Sequence, residues 1–448
     1  MAQIFDEALH AGIIFPAAAF GSWPLTVLFE SVALDQQLDL YGDLAVRVAL
    51  NLQPGQRLLI IGPLMNSGVA LEAAPMVRRI AASAYRAGGQ LVEAIWGDEA
   101  LQLVRFHNAR KETLDEFSAW LPRALEEHAK AGHAVLSVYA NDPDLLRREP
   151  PDLVGALQQA TSRAVMPFRE HISRNATNWG VVAAASEAWA AKVFPDAPRG
   201  DQLSRLWETI ARFCRLDRPD PIAAWKAHLA TLASRSEQLN RKRYTALRFR
   251  GPGTDLTVGL PAGHIWVSGE SVTQSGIRFV ANLPTEEVFT IADCRRVDGT
   301  VRATKPLSYA GTLIEDFSLR FEAGRVVDVK AARGETVLRQ LVETDATSGR
   351  LGEVALVPHS SPIAQSGLLF FNTLFDENAA SHVALGSAYK FTLTGADAMS
   401  DAAFEAAGGN RSAVHVDFMI GSGEMDVDGL HENGSDEPLM RGGEWATS

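Results

Sequence analysis

The chain has 448 residues, 46% of them hydrophobic, and a formal net charge of −12 at pH 7. This length exceeds the usual size of a single hydrophobic core, so we expect two domains. The negative charge argues against broad binding to nucleic acid or to an anionic membrane surface. No apolar run reaches the roughly 18 residues that a membrane-spanning helix needs, so we expect no membrane partner.

The N-terminus and the cysteines indicate where the protein works. Residues 1–38 show no clean periodicity, and Asp6 and Glu7 stand where a secretory signal peptide would carry lysine or arginine. We interpret residues 1–38 as an N-terminal extension. The two cysteines, Cys214 and Cys294, are far apart and too few for a disulfide scaffold, which suits a reducing compartment. We therefore predict a cytoplasmic protein.

Strand and helix signals alternate from about residue 40. The segments RLLIIG (57–62) and LVEAIW (91–96) are typical of short buried strands, and the amphipathic segment 75–90 between them predicts a helix. A third strand, AVLSVYA (134–140), follows a helix predicted around 117–131. Strand, helix and strand without hairpin signals predict βαβ units, and therefore a parallel sheet.

The second half of the chain has a different pattern. Residues 151–245 read mostly as helices, and we place a domain boundary near Tyr244. After it the hydrophobic period changes to two, with glycine, proline and aspartate turns, and FEAGRVV predicts a tight hairpin with Gly324 at positive φ. The predicted fold class is α/β plus α+β, with an α/β domain over 39–244 and a β-rich domain over 245–448.

Four segments of the β-rich half carry acidic, histidine and tyrosine side chains. They contain Glu286 and Glu287 (NLPTEEVFT), Glu353 (GEVALV), His382 and Tyr389 (DENAASHVALGSAY), and His415 and Asp417 (VHVDFMIG). A helix over 374–389 would place its histidine and tyrosine, seven residues apart, on one face. A strand would place His415 and Asp417, which lie two residues apart, on the same face. Because charges in apolar segments are costly unless paired or metal-bound, we predict a metal pocket.

Taken together, these segments resemble the thermophilic aminopeptidase family of the aminopeptidase T and S type. The resemblance runs from about Tyr41 to the C-terminus and includes AVRVALNLQPGQRLLI, WAAKVFPD, LGEVALV and NTLFDENAASHVALGSAY. The chain departs from the family in residues 1–38 and in the loop GPLMNSGVALEAAP, which is longer than the family's loop. It implies a homodimer that removes N-terminal residues from peptide substrates with two divalent metal ions per chain. The metal ligands it implies are Glu287, Glu353, His382, Tyr389, His415 and Asp417, a donor set that suits Zn²⁺, Co²⁺ or Mn²⁺ alike.

Two residues have more than one interpretation. Tyr389 is either a ligand or a donor of a hydrogen bond to the oxyanion of the reaction. In an extended segment Glu286 would face away from Glu287, so one interpretation is an ordinary exposed carboxylate. Unrelated two-zinc aminopeptidases carry a Glu-Glu pair whose first member is the base. By that analogy we hypothesise that Glu286 transfers the proton from the attacking water to the leaving amine.

Two other functions remain open at this point. Ring-opening dioxygenases of dihydroxypyridines resemble this family in fold and use a single Fe²⁺, for which His382, His415 and Asp417 would form the facial triad. A non-catalytic peptide-binding protein is the other alternative. The additional carboxylates Glu287 and Glu353 favour a two-metal hydrolase over the dioxygenase, and the full ligand set argues against a protein without catalysis.

Overall fold

The computed structural model describes residues 25–63, 68–309 and 312–446. Its helices are α1 (Leu25–Leu44), α2 (Ala74–Arg86), α3 (Glu99–Asn108), α4 (Trp120–Lys130), α5 (Pro151–Ser173), α6 (Glu187–Val193), α7 (Arg199–Phe213), α8 (Pro221–Lys242), α9 (Glu335–Val342), α10 (Pro362–Ser366), α11 (Thr373–Asp376) and α12 (Asp401–Ala406). None of the helices in these ranges is long and apolar enough to cross a membrane.

The strands number from the N-terminus. They are β1 (Arg57–Ile61), β2 (Val69–Ala70), β3 (Leu91–Ala94), β4 (Trp96–Gly97), β5 (Ala134–Tyr139), β6 (Trp179–Ala183), β7 (Ala246–Gly251), β8 (Thr254–Gly259), β9 (Glu270–Val272), β10 (Arg278–Val280), β11 (Val288–Ile291), β12 (Val297–Arg302), β13 (Leu307–Tyr309), β14 (Thr312–Glu322), β15 (Arg325–Arg333), β16 (Leu351–Leu356), β17 (His382–Gly386), β18 (His415–Met419), β19 (Asp426–Leu430), β20 (Asp436–Arg441) and β21 (Glu444–Trp445).

A parallel sheet with the order β3-β1-β5-β6 forms the N-terminal half, as the alternating signals predict. Strand β6 was missed, because it lies in the region predicted to be mostly helical. Its five residues, WGVVA, form an apolar run too short for periodicity to separate a strand from a helix. The strand matters for the site, since the main chain of Val181 bonds to Ala281 and Leu283, in the segment that leads to the two adjacent glutamates.

Helix α1 lies partly within residues 1–38, whose interpretation as an N-terminal extension stays a prediction. Helix α1 begins at Leu25, directly after Pro24, and continues across the predicted boundary after residue 38. Residues 1–24 lie outside the described ranges. The helix is followed by one turn of π-helix, Ala45–Ala49, and its end packs in the core, where Tyr41 and Leu44 are fully buried.

Two large antiparallel sheets and the two-stranded sheet of β9 and β10 make the C-terminal half β-rich, as the period of two predicts. The larger is nine-stranded and contains the hairpin β14–β15, whose turn places Gly324 at φ 78°. The smaller has the order β11-β16-β17-β18. Leucine, valine and phenylalanine side chains of both sheets fill one core cluster. The smaller sheet carries most of the predicted metal ligands.

The two halves share a hydrophobic core. Trp189 of α6 donates its indole N–H to the carbonyl oxygen of Phe370 at 2.6 Å, and its ring lies 5.7 Å from that of Phe375. The ring of Phe213 lies 5.6 Å from that of Phe370. The turn between α8 and β7 contains Tyr244, so secondary structure changes there. The division into domains at that residue stays a prediction.

Candidate metal centre

The small antiparallel sheet places four predicted ligands on one face. Ala384 of β17 lies opposite Glu353 of β16 and Asp417 of β18, and opposed residues share a face. His382 and His415 each lie two residues from a member of that row, so they project to the same side. The small Ala384 in the middle of the row leaves room between the four side chains.

The strand β17 corrects the prediction of a helix carrying His382 and Tyr389. The segment HVALG is buried along its whole length and pairs with strands on both sides. A fully buried apolar run satisfies its backbone polar groups in a sheet as well as in a helix. The spacing of His382 and Tyr389 therefore did not distinguish a strand from a helix. Both residues still reach one cavity, because the chain turns after Gly386 and returns Tyr389 to it.

Gly386 allows this return. Its φ is 102°, and a Cβ atom there would lie 2.1 Å from the carbonyl oxygen of Val414 on the neighbouring strand. Only glycine fits both the dihedral angle and the close approach. The close contact keeps β17 and β18 in register, with His415 opposite Gly386.

The donor atoms form two groups that share one carboxylate. Glu287, Glu353 and His382 offer atoms within 4.8 Å of one another, and so do Glu353, His415 and Asp417. In the first group, His382 Nε2 lies 3.1 Å from Glu287 Oε2 and 3.8 Å from Glu353 Oε1. In the second, His415 Nε2 lies 3.9 Å from Glu353 Oε2 and 3.6 Å from Asp417 Oδ1.

Both imidazole rings are oriented as metal ligands are. His382 Nδ1 lies 3.0 Å from the carbonyl oxygen of Ala380, and His415 Nδ1 lies 2.7 Å from that of Ser387. Since a carbonyl oxygen only accepts, each Nδ1 carries the proton and donates it. In the neutral ring, this tautomer leaves Nε2 facing the carboxylates with a lone pair that a metal ion would bind.

The electrostatics of the cluster favour the binding of a cation. Burial opposes protonation of His382, but the carboxylates of Glu287 and Glu353 outweigh it and hold its pKa well above the ordinary value. Burial also raises the pKa of Glu353, and the charge of Asp417 adds to that effect. Glu287 Oε2 is buried with His382 Nε2 3.1 Å away, and the buried atom Asp417 Oδ1 has no hydrogen-bond donor among the described residues. A cluster of buried carboxylates that holds a proton on a neighbouring imidazole can hold divalent metal ions in place of that proton.

The cavity in front of this cluster lies between the two halves of the chain. Its empty volume, counted out to its solvent mouth, is about 600 Å³. Trp179 of β6 lines it from the N-terminal half, while Phe289, Tyr389 and Phe391 line it from the C-terminal half. The rings of Tyr389 and Phe391 stack at 5.2 Å, and the ring of Tyr389 lies 4.9 Å from that of His415. The cavity therefore has one acidic wall and one aromatic wall.

The two adjacent glutamates point in different directions. Glu287 belongs to the first donor group and lines the cavity. The carboxylate of Glu286 instead accepts a hydrogen bond from Arg215 Nη2 at 2.7 Å. It is also not exposed, since only 6% of its side chain is accessible. The structure therefore brings the six predicted ligands together around one cavity, and Glu286 is not among the residues that line it.

One cavity residue, Glu377, was not singled out from the sequence. It is buried, lines the cavity, and accepts a hydrogen bond from Asn282 Nδ2 at 3.2 Å. Burial raises its pKa well above the ordinary value, and the charges of Glu287 and Asp417 add to the effect. The available signal was its place between Asp376 and Asn378 in a polar run shortly before His382. Only the fold shows that this carboxylate faces the other acidic groups.

The donor groups argue against the single-iron alternative. His382 lies in one compact group, whereas His415 and Asp417 lie in the other, and Glu353 stands between them. A facial triad would need His382, His415 and Asp417 to converge on one ion without Glu353 between them. Among the described residues, His382, His415 and Asp417 do not form one compact donor group.

Comparisons with known proteins identify the family to which the chain is similar. A family model described as thermophilic metalloprotease (M29) matches residues 34–445. Aminopeptidase T of Thermus thermophilus is 48% identical over 92% of this chain and 99% of its own length. Aminopeptidase AmpS of Bacillus subtilis is 43% identical over 92% of this chain and 99% of its own length.

A solved structure extends the similarity to three dimensions. Wild-type AmpT from Thermus thermophilus superimposes with a TM-score of 0.85 at 47% sequence identity, covering 92% of this chain and 100% of that one. The mixed α/β fold, with its N-terminal parallel sheet and β-rich C-terminal part, is therefore that of AmpT. With a family match across almost the whole described chain, the protein belongs to the thermophilic metalloprotease (M29) family.

Proposed function

We propose that the acidic cavity removes N-terminal residues from peptides with the help of two divalent metal ions. Family membership and the aminopeptidase relatives make the chain a metal-dependent aminopeptidase. The number of ions and the roles of the residues are our proposal. The observation that carries it is the pair of donor groups joined by Glu353.

The donor groups divide the ligands between two sites. Glu287 and His382 would hold one ion, His415 and Asp417 the other, and Glu353 would contribute to both. All donors are oxygen or nitrogen, so Zn²⁺, Co²⁺ and Mn²⁺ each suit them. Ions in such a site act as Lewis acids, which favour the attacking form of water and polarise the carbonyl under attack.

Glu377 is our choice for the proton carrier of the reaction. It lies in the cavity beside the ligands but outside both donor groups, so its carboxylate is available for another task. The amide of Asn282 orients it. A carboxylate in this position can take a proton from water and return it to the amine that leaves. The hypothesis that Glu286 has this role stays a prediction, which its bond to Arg215 does not favour.

Tyr389 is proposed as the sixth ligand, with donation to the oxyanion as its alternative role. Its ring already lies against His415, and its side chain lines the cavity. The variant Tyr389→Phe separates the two roles. Loss of metal would identify a ligand, whereas full metal content with reduced kcat would identify an oxyanion donor.

The cavity walls suit the N-terminus of a peptide. The rings of Phe289 and Phe391 offer apolar contact to the side chain of the N-terminal residue. We propose a broad preference among N-terminal residues, a homodimeric enzyme and a cytoplasmic location. Both cysteines are unpaired and buried, which suits a reducing compartment. Light scattering on the purified protein tests the dimer.

Metal analysis with activity assays tests the proposal. The purified chain should contain two divalent ions and cleave aminoacyl-p-nitroanilides. Chelator should abolish the cleavage, and Co²⁺ or Zn²⁺ should restore it. A single iron per chain with oxygen uptake would assign the protein to the dioxygenase alternative instead.

A further inference from the structure

Glu286 is a buried carboxylate with a partly buried cationic partner. Its Oε1 accepts a hydrogen bond from Arg215 Nη2 at 2.7 Å, and only 6% of its side chain and 14% of that of Arg215 are exposed. Arg215 lies in the turn between α7 and α8, in the other half of the molecule. The pair therefore ties the N-terminal half to the residue directly before a metal ligand.

Arg215 is itself held firmly. Its φ of 58° lies in the left-handed region, which arginine rarely adopts. Its Nη1 donates to the carbonyl oxygen of Phe213 at 3.2 Å, and its guanidinium carbon lies 4.7 Å from the ring centre of Trp225. The indole of Trp225 donates in turn to the carbonyl oxygen of Cys214 at 2.7 Å. The cation that meets Glu286 is thus fixed in position before any substrate arrives.

The main chain around Glu286 is held from two further sides. His228 Nε2 of α8 lies 2.8 Å from the carbonyl oxygen of Thr285 and donates to it. The backbone N–H of Glu286 donates to Asn378 Oδ1 at 2.7 Å, and Asn378 Nδ2 donates to the carbonyl oxygen of Leu374 at 2.9 Å. Because adjacent side chains of an extended segment face opposite ways, fixing Glu286 also fixes the direction of Glu287.

We propose that the ion pair between Arg215 and Glu286 is a positioning device that aims Glu287 at the metal centre. The inference rests on the proposed two-ion site. A buried ion pair adds little net stability compared with apolar packing, so direction is what this pair contributes. Groups that orient a metal ligand from behind change metal affinity by about 10- to 100-fold when they are removed. In this arrangement Glu286 is a positioning residue, and proton transfer is carried out by a residue that lines the cavity.

Cobalt titration of the metal-free, full-length chain tests the device. Binding is followed by the visible absorption of Co²⁺, and kcat is measured at saturating Co²⁺. The variants are Glu286→Gln, which keeps the shape but removes the charge, and Arg215→Lys, which keeps the charge but lacks the planar fork. The matched control is Asp428→Asn, since Asp428 is also a buried carboxylate paired with arginine, but outside the cavity.

We expect Glu286→Gln to bind one of two Co²⁺ ions about 10- to 100-fold more weakly and to change the absorption band of that ion. Its loss of affinity should exceed its loss of kcat at saturating Co²⁺. Arg215→Lys should show a smaller loss of the same kind, and Asp428→Asn should bind Co²⁺ like the wild type.

Two results would overturn the inference. One is wild-type Co²⁺ affinity in both variants. The other is wild-type affinity in Glu286→Gln with kcat reduced by about 100-fold or more, which is the signature of a proton carrier. If Glu286→Gln does not fold, the affinity of Arg215→Lys decides. Failure of the proposed function appears separately, as a wild-type chain that does not bind two ions or lacks chelator-sensitive cleavage.

Discussion

Replacement of Glu377 by glutamine tests the assignment of the proton carrier. Glutamine has the same shape, and its amide oxygen can still accept from Asn282 Nδ2, which lies 3.2 Å from Glu377 Oε1. The fold and the two donor groups should therefore persist. What disappears is the ability to take up a proton and release it again.

The expected effect is large and falls on kcat. Positioned acid–base groups contribute about 10²- to 10⁴-fold to rate. At about 1.36 kcal/mol per tenfold, this corresponds to about 2.7 to 5.4 kcal/mol in the activation barrier. Since Glu377 lies in neither donor group, metal content should stay at the wild-type value. KM should change little, because the residue acts after the peptide has bound.

The assay is hydrolysis of an aminoacyl-p-nitroanilide, with metal content measured on the same preparation. Glu405→Gln is a suitable control, because Glu405 lies in α12 with 53% of its side chain exposed. It should keep the wild-type kcat. Turnover of Glu377→Gln within about threefold of wild type, at full metal content, would refute the reasoning, given the size expected of a proton carrier. Loss of one ion would instead make Glu377 a ligand.

Three further predictions follow from single contacts. Glu353→Gln should lose both ions, whereas His415→Ala should lose one, as metal analysis of the purified variants will show. Burial raises the pKa of Asp376 from 3.8 to about 6, so its stabilising protonated form is lost as pH rises through about 6. Between pH 4 and pH 7, the stability of Asp376→Asn relative to the wild type should rise by about 2 to 3 kcal/mol in urea unfolding with chelator present. Gly386→Ala should lower the free energy of unfolding by about 2 to 4 kcal/mol, because its Cβ would meet Val414.

Each of these predictions has its own control. Equal metal loss in Glu353→Gln and His415→Ala would contradict the shared position of Glu353. A stability difference between Asp376→Asn and wild type that is the same at every pH would contradict the raised pKa. Gly155→Ala is the control for Gly386, since Gly155 lies in α5 with open space at the Cβ position, and alanine favours a helix.

Much of the fold could be predicted from the sequence because its signals are local. The apolar run RLLII and the amphipathic segment after it predicted the parallel sheet, and Gly324 predicted the hairpin between β14 and β15. The prediction failed at β6 and β17. Both are five-residue apolar runs, whose conformation is decided by the strands that pair with them rather than by their own pattern.

The sequence by itself determined which side chains could bind metal, since acidic and histidine residues in apolar segments are costly without a partner. Only the tertiary structure decided how they are used. The register of β16, β17 and β18 placed Glu353 between two donor groups, and a partner 71 residues away in the chain turned Glu286 from the cavity. The position of Glu377 likewise depends on contacts between distant segments. Residue chemistry is a local property, whereas direction and proximity are set by packing across the whole chain.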